Sequence, residues 1–81
     1  MTSGPLVYQF EDCLGAIRGE IRSLRRELEL SQEELAHLAS IDSSDMGKIE
    51  RGERNLSVGN LLRISAALRC KPSDLLVRAG F

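Results

Sequence analysis

The residues best suited to specific polar contacts are concentrated in one stretch of the chain, from Leu30 to Gly52. Near the end of this stretch, the positions expected on the outer side of a helix are small, hydroxylic or basic. They are Ser43, Ser44, Gly47, Lys48 and Arg51. Hydroxyl and ammonium groups can bond to base edges in DNA, and the major groove admits an α-helix. An outer helix face nearly free of apolar side chains therefore predicts a surface that reads a nucleic-acid groove.

The first of the two helices in this stretch is marked by its N-terminal signals. Ser31 and Glu34 have the spacing of a capping box, in which each side chain accepts a hydrogen bond from the other residue's backbone. Leu30 and Leu35 have the spacing of a hydrophobic staple. These signals predict a helix that begins at Gln32. Its inner face is expected to contain Leu35, Ala36, Leu38 and Ala39.

A second helix follows after a tight turn at residues 39–41. Asp42 is its predicted N-cap, and Gly52 is its predicted left-handed C-cap. Met46 and Ile49 are three residues apart, so they share a face that is expected to point inward. The stretch therefore predicts a sharply angled pair of short helices.

Further helices are predicted on both sides of this stretch. Apolar residues recur every three or four positions along the first helix of the chain, which is expected to begin near Glu11 or Asp12. This stripe contains Phe10, Leu14, Ile17, Ile21, Leu24 and Leu28. Ser57 is the predicted N-cap of a fourth helix that runs to about Leu68. Its apolar residues are Val58, Leu61, Leu62, Ile64 and Leu68.

A fifth helix is predicted from Pro72, a residue favoured at the first helical position, to about Ala79. Its core-facing residues are expected to be Leu75, Leu76 and Ala79. No strand is needed to account for the rest of the pattern. The sequence therefore predicts an all-α, five-helix domain at residues 11–81, preceded by a short N-terminal leader at residues 1–10.

The composition limits the class of protein. The 81 residues fit one domain with a small core, and the formal net charge of −1 lacks the basic excess of a non-specific nucleic-acid binder. The sequence shows no apolar run of about 18 residues and no signal peptide. We therefore expect a soluble, cytoplasmic protein with no membrane partner.

The side chains that could catalyse a reaction or bind a metal are few and scattered. His37 is the only histidine, and no nucleophile or carboxylate constellation surrounds it. Cys13 and Cys70 stand far apart and outside any metal-binding spacing, so we expect two small, partly buried thiols. The seven glycines form no phosphate-binding loop. We therefore expect no enzyme activity, no cofactor and no metal.

Three sequence blocks resemble a known family in their order and spacing. They are LSQEELA at Leu30–Ala36, KIERGERNLS at Lys48–Ser57 and ALRCKPSDLL at Ala67–Leu76. Through these blocks, the chain resembles the lambda-repressor-like (Xre-type) helix-turn-helix transcriptional regulators over about residues 17–76. It is also similar in size to small single-domain members such as restriction–modification controller proteins. The resemblance implies a compact five-helix domain in which the second and third helices form the helix-turn-helix.

The resemblance also implies roles for particular residues. It implies that Gln32 binds a DNA phosphate from the N-terminus of the second helix, a position suited to anions. Arg51 and Arg54 match positions near the DNA backbone. Arg25 and Glu50 match a pair that ties the first helix to the third and presents the arginine to a phosphate. The base-reading face would consist of Ser43, Ser44, Gly47 and Lys48.

Three residues depart from the family pattern. Ser40 replaces the usual turn glycine, so a non-glycine residue would adopt a positive φ. Arg69 replaces a helix-ending glycine before Cys70. Asp45 replaces a residue that is often aromatic or neutral, and together with Asp42 it brings negative charge to the end of the helix that enters the groove. Such charge lowers the affinity for phosphate.

These features predict a sequence-specific, DNA-binding regulator of transcription that binds double-stranded DNA as a homodimer. Two copies would read half-sites about one helical turn apart, since one module buries too little surface for useful specificity. Candidate dimer residues are Val77 and Phe81, or Tyr8 and Phe10. There is no room for a separate ligand-binding domain, so we expect no small-molecule ligand.

An alternative function is a protein-interaction module on the same scaffold, such as an antitoxin-like or anti-regulator subunit. Between Asp42 and Arg54 there are three basic and four acidic residues, a low basic content for a DNA-binding surface. On the first helix, Arg18 and Arg22 are interpreted as part of a solvated face. A steep salt dependence of binding would favour DNA over a protein partner.

Overall fold

The computed structural model describes residues 10–81, with the side chains described from Asp12 onward. This part of the chain contains five helices and no strand, which confirms the all-α prediction. The helices are α1 (Phe10–Glu27), α2 (Gln32–Ala39), α3 (Ser43–Arg51), α4 (Val58–Ala67) and α5 (Pro72–Arg78). Helix α1 begins just before the predicted Glu11 or Asp12. The dimer candidates Tyr8 and the side chain of Phe10 lie outside the described residues.

Side-chain caps set where the central helices begin. The Ser31 hydroxyl accepts a hydrogen bond from the Glu34 amide at 3.0 Å, and the Glu34 carboxylate accepts one from the Ser31 amide at 2.7 Å. The Asp42 carboxylate accepts from the Ser44 amide at 3.0 Å. These bonds satisfy amides that have no partner within the first turn of a helix. The predicted capping box and the predicted N-cap of the third helix are therefore confirmed.

The core is built from all five helices. Helix α2 packs on α3 and α4, while α1 packs on α3 and α5. The apolar residues buried at the centre are Ile17, Ile21, Leu35, Ala36, Ala39, Met46, Ile49, Ile64, Leu68 and Leu75. This packing fixes both helices of the α2–α3 pair to the rest of the domain. The burial of these residues confirms most of the inward-facing positions predicted from the spacing of apolar residues.

Four leucine and valine residues of the predicted apolar sets are exposed. Leu38 is 55% exposed because it lies roughly 100° around α2 from the buried residues of that helix. Leu28 lies in the turn after α1 ends. Val58 is 73% exposed at the first residue of α4, and Leu62 is 51% exposed one turn later. The expectation that Leu38 lies on the inner face of α2 is therefore wrong, and so is the inclusion of Leu28 in the apolar stripe of α1.

Three of the helix-ending turns use left-handed residues that are not glycine. The φ angles are 58° at Glu29, 59° at Ser40 and 61° at Arg69. At Ser40, the following amide of Ile41 donates to the Ala36 carbonyl at 2.9 Å, which closes the turn between α2 and α3. The positive φ expected at Ser40 is confirmed. Because a β-carbon is disfavoured there, each such residue carries local strain that glycine would relieve.

Candidate nucleic-acid interface

A buried carboxylate holds the α2–α3 pair in place. Glu50, on α3, is 2% exposed. It accepts hydrogen bonds from Nε of Arg25 at 2.8 Å and from Nη2 of Arg25 at 3.0 Å. It also accepts one from the Gln32 side-chain amide at 3.0 Å. Because Arg25 lies on α1 and Gln32 on α2, this one carboxylate joins three helices.

Arg25 is turned inward by these contacts. Its side chain is 12% exposed, and Nη1 donates to the Leu30 carbonyl at 2.9 Å in the turn between α1 and α2. The pairing of Arg25 with Glu50 that the resemblance implied is therefore present. The geometry favours a bracing role for Arg25, since most of its guanidinium is committed within the protein. Its contact with a DNA phosphate stays a prediction.

Two further arginines of α1 lie against the C-terminal end of α3. Arg22 donates from Nη2 to the Glu50 carbonyl at 2.9 Å, and its Nε lies 3.7 Å from the Glu50 carboxylate. The Arg18 guanidinium lies over Gly52, where a β-carbon would stand 3.0 Å from Nη2. Cations are favoured at such a helix end. The solvated-face interpretation is incomplete: the Arg22 side chain is 41% exposed, but both arginines also contact the end of α3, and the face they share with Arg25 was the signal in the sequence.

The exposed side of α3 is polar and follows the predicted face at most positions. Ser43, Ser44 and Lys48 are exposed. The Ser44 hydroxyl donates to the Asp42 carboxylate at 3.0 Å, and the amide and hydroxyl of Ser44 lower the pKa of Asp42. The Ser44 oxygen retains its capacity to accept a hydrogen bond from a base.

Gly47 does not lie on the surface, so the expectation that it points outward is wrong. It is buried because neighbouring side chains cover it. A β-carbon at Gly47 would stand 3.0 Å from Nη1 of Arg51 and 3.4 Å from Oε1 of Gln32. The absence of a side chain at Gly47 lets these two groups approach the helix closely. A base-reading role for Gly47 stays a prediction, and its backbone is the part available for such a contact.

The two arginines predicted to bind phosphate each have a carboxylate partner. Arg51 donates to Glu53 from Nε at 2.9 Å and from Nη2 at 3.2 Å. Nη1 of Arg54 lies 3.4 Å from the Asp45 carboxylate. These two hydrogen bonds lower the pKa of Glu53 and raise the pKa of Arg51. The pairing of these acids with the arginines was not predicted, although Glu53 stands only two residues after Arg51 in the sequence.

Gln32 lies at the first position of α2, half-buried beside the exposed face of α3. Its side-chain amide is anchored on Glu50. The amides of a helix N-terminus and the helix dipole both favour a bound anion. Gln32 and Arg51 approach each other over Gly47, so these two predicted phosphate ligands are brought together.

Residues 10–81 contain neither a group of side chains suited to a metal ion nor a helix suited to a membrane. No group of histidine, cysteine, aspartate and glutamate residues there is arranged to hold a metal ion. His37 is exposed, as expected. Cys13 and Cys70 are half-buried free thiols, which confirms that expectation, and burial raises the pKa of Cys70. No helix in this range combines the length and hydropathy needed to span a bilayer.

A pair of short helices joined by a left-handed turn, with a braced second helix and a polar outer face, defines a helix-turn-helix domain. A helix-turn-helix family model matches residues 21–75 of the chain. The chain therefore belongs to the Xre-type helix-turn-helix family of DNA-binding transcriptional regulators, and its fold is lambda-repressor-like.

The relatives of this chain include several regulators of restriction–modification systems. It is 34% identical to control protein C.SmaI of Serratia marcescens over 71 residues, which cover 88% of this chain and 84% of that protein. It is 40% identical to control protein C.BamHI of Bacillus amyloliquefaciens, with coverage of 70% and 72%. The crystal structure of the controller protein C.AhdI from Aeromonas hydrophila matches with a TM-score of 0.72 and 42% identity, covering 76% of this chain and 94% of that one.

Proposed function

We propose that the protein regulates transcription as a homodimer that places α3 of each protomer in the major groove of a two-fold-related operator. The observation that carries this proposal is the exposed polar face of α3 on a helix that Glu50 fixes to α1 and α2. A rigid support is needed because base readout depends on hydrogen bonds of fixed geometry. The similarity to control proteins supports the same function.

The contacts divide into those that read bases and those that position the helix. Ser43, Ser44 and Lys48 are exposed at the groove-facing side of α3, and Lys48 suits the O6 and N7 acceptors of guanine. Gln32 with the N-terminus of α2 binds a phosphate on one side of the groove. Arg51 and Arg54 bind phosphates beyond the other end of α3. Such contacts orient the protein but carry no sequence information.

A dimer is required because a single module buries only about 600–1,000 Å² on DNA. Apolar side chains are exposed on the two C-terminal helices. Val58 and Leu62 lie one turn apart on α4, and Val77 on α5 is 69% exposed. We infer that this α4–α5 surface forms the dimer interface. Phe81, which is 45% exposed, remains a candidate member.

The test is selection of bound sequences from random DNA, with the mass of the protein in solution measured alongside. We expect an enriched motif with two-fold symmetry, half-sites about one helical turn apart, and the mass of a dimer. Replacement of Leu62 by aspartate should give a folded monomer, whereas Leu38→Asp, at a similarly exposed leucine on α2, should leave the dimer intact. Absence of any enriched two-fold motif would refute the proposal.

A protein-interaction module is the alternative, and the carboxylate partners of Arg51 and Arg54 favour it. A surface whose cations are already paired attracts phosphate less than an unpaired one. Salt dependence separates the two functions, because each phosphate neutralised releases counterions and a protein partner releases few. We further propose that the protein acts in the cytoplasm without a cofactor or a small-molecule ligand.

A further inference from the structure

Residues 42–54, which contain α3, carry balanced charge at the surface of the protein. Glu50 is buried and paired with Arg25, so it does not contribute to the charge that DNA would meet. The exposed or half-buried charges between residues 42 and 54 are then three basic and three acidic ones. They are Lys48, Arg51 and Arg54 against Asp42, Asp45 and Glu53. These six charges by themselves therefore exert little net attraction on a phosphate backbone.

The carboxylates of Glu53 and Asp45 contact the same guanidinium groups that a DNA phosphate would bind. Arg51 presents Nε and Nη2 to both oxygens of Glu53, the forked geometry with which arginine also binds phosphate. Arg54 lies against Asp45 through Nη1. The side chains of Arg51 and Glu53 are 53% and 56% exposed. Pairs in such surroundings are weak enough to open when another anion arrives.

Opening these pairs on DNA has a cost beyond the loss of a hydrogen bond. Once Arg51 turns to a phosphate, the Glu53 carboxylate loses the cation that donates to both of its oxygens, and of the two cations that act on it only Lys48 remains. The ordinary pKa of this carboxyl is 4.5, so Glu53 is charged at neutral pH even without Arg51. It must then bind a cation from solution, which subtracts from the counterions that DNA releases.

We propose that Glu53 and Asp45 compete with DNA phosphates for Arg51 and Arg54, and so lower the affinity and the salt dependence of binding for every sequence alike. This inference rests on the proposed function. Its consequence is that phosphate contacts alone retain the protein poorly, so that stable binding requires the base contacts of α3. Glu53 and Asp45 would then increase the dependence of binding on the base sequence without contacting a base themselves.

The test compares Glu53→Gln and Asp45→Asn with Asp12→Asn. Each variant removes one negative charge, but Asp12 is exposed near the start of α1, about 20 Å along the helix from Arg25. Binding is measured on the selected duplex and on a random duplex over a range of salt. Thermal unfolding of each variant checks that the fold is intact.

We expect Glu53→Gln to tighten binding about two- to five-fold at low salt, by the same factor on both duplexes. Asp45→Asn should tighten it less, because its contact with Arg54 is longer and single. The slope of log affinity against log salt should steepen by up to about 0.9 for each carboxylate removed. In an Arg51→Gln background, Glu53→Gln should lose most of its effect.

Three results would overturn the inference. Weaker binding by Glu53→Gln would show that the carboxylate orients Arg51 toward phosphate. Unequal factors on the two duplexes would show a base contact. Equal behaviour of Glu53→Gln and Asp12→Asn would show that only net charge matters. In each of these cases the wild-type protein still binds the selected duplex, whereas a wild-type protein that binds no DNA refutes the proposed function itself.

Discussion

Glu50 and Glu53 stand three residues apart, and each accepts two hydrogen bonds from one arginine. Arg25 approaches Glu50 at 2.8 and 3.0 Å, and Arg51 approaches Glu53 at 2.9 and 3.2 Å. The geometry is nearly the same, but Glu50 is 2% exposed and the Glu53 side chain is 56% exposed. Burial, and partners that lie on other helices, therefore distinguish the Glu50 contact, which holds helices together, from the Glu53 contact, which can exchange partners.

The difference follows from how water screens charge. An exposed pair is worth about 0–1 kcal/mol, because both ions are well solvated when apart. A buried pair adds little net stability when formed, but removing one partner leaves an unsolvated charge and costs about 3–5 kcal/mol. The α1–α3 pair thus makes the position of α3 depend on Arg25. The exposed pair leaves Arg51 available to a phosphate.

The largest expected effect comes from breaking the buried pair. Arg25→Met should lower the free energy of unfolding by about 3 kcal/mol, because Glu50 then keeps only weaker partners. Arg51→Met, the matched change in the exposed pair, should alter it by less than about 0.5 kcal/mol. Denaturant unfolding followed by circular dichroism measures both values. Equal losses for the two variants would show that burial does not distinguish these pairs.

A second change separates base reading from positioning on DNA. Lys48→Ala should weaken binding to the selected duplex by about 1–3 kcal/mol and relax the preference at one base pair. Arg54→Ala should weaken binding to all duplexes uniformly and reduce the salt slope by up to about 0.9, the full value applying only if Asp45 binds no cation in the complex. Titrations on single-base variants of the duplex measure both effects. Loss of discrimination in Arg54→Ala, in place of uniform weakening, would contradict a backbone role.

A third change probes the support at the turn. Ser40→Gly should raise the free energy of unfolding by about 0.5–1 kcal/mol, because glycine adopts a φ of 59° without strain from a β-carbon. Ser23→Gly, at an exposed position inside α1, should lower it by about 0.5 kcal/mol. Thermal unfolding gives the sign of each effect. A destabilised Ser40→Gly protein would indicate that the serine side chain contributes a contact of its own.

The smallest expected effect concerns the exposed carboxylate of Glu34. The Ser31 amide lowers the pKa of Glu34 from its ordinary value of 4.5. A lowered pKa in the folded state gives stability that is present above that ordinary value and is lost as the pH falls through the folded-state value. Wild-type stability should therefore fall slightly more between about pH 5 and pH 3 than that of Glu34→Gln. Unfolding curves at several pH values measure this, and identical profiles would contradict it.

The helices could be predicted because their signals are local. The Ser31–Glu34 capping box and the Asp42 cap depend on residues within one turn, and the periodic stripes of Ile17 and Ile21 depend on helix geometry alone. The resemblance supplied the Arg25–Glu50 pair, whose members are 25 residues apart. Local pattern could not have joined them.

What could not be predicted depends on how the helices are packed. Leu38 is exposed because α2 contacts its neighbours through a narrower face than its apolar residues suggest. Gly47 is covered by side chains from its own helix and from α2, which a helical wheel of α3 does not include. Arg22 reaches a carbonyl at the end of α3, so its role emerges only once α1 and α3 are placed together.

The proposed function depends most directly on whether two copies of α3, each held by Glu50, read one operator together. The affinity of the wild-type protein is measured for the selected duplex and for the same duplex with about five base pairs inserted between the half-sites. This insertion is about half a helical turn, so it moves one half-site to the opposite face of the DNA. Joint reading of one operator by a homodimer predicts two protomers bound to the selected duplex and a large loss of affinity on insertion. An affinity unchanged by the insertion would contradict it.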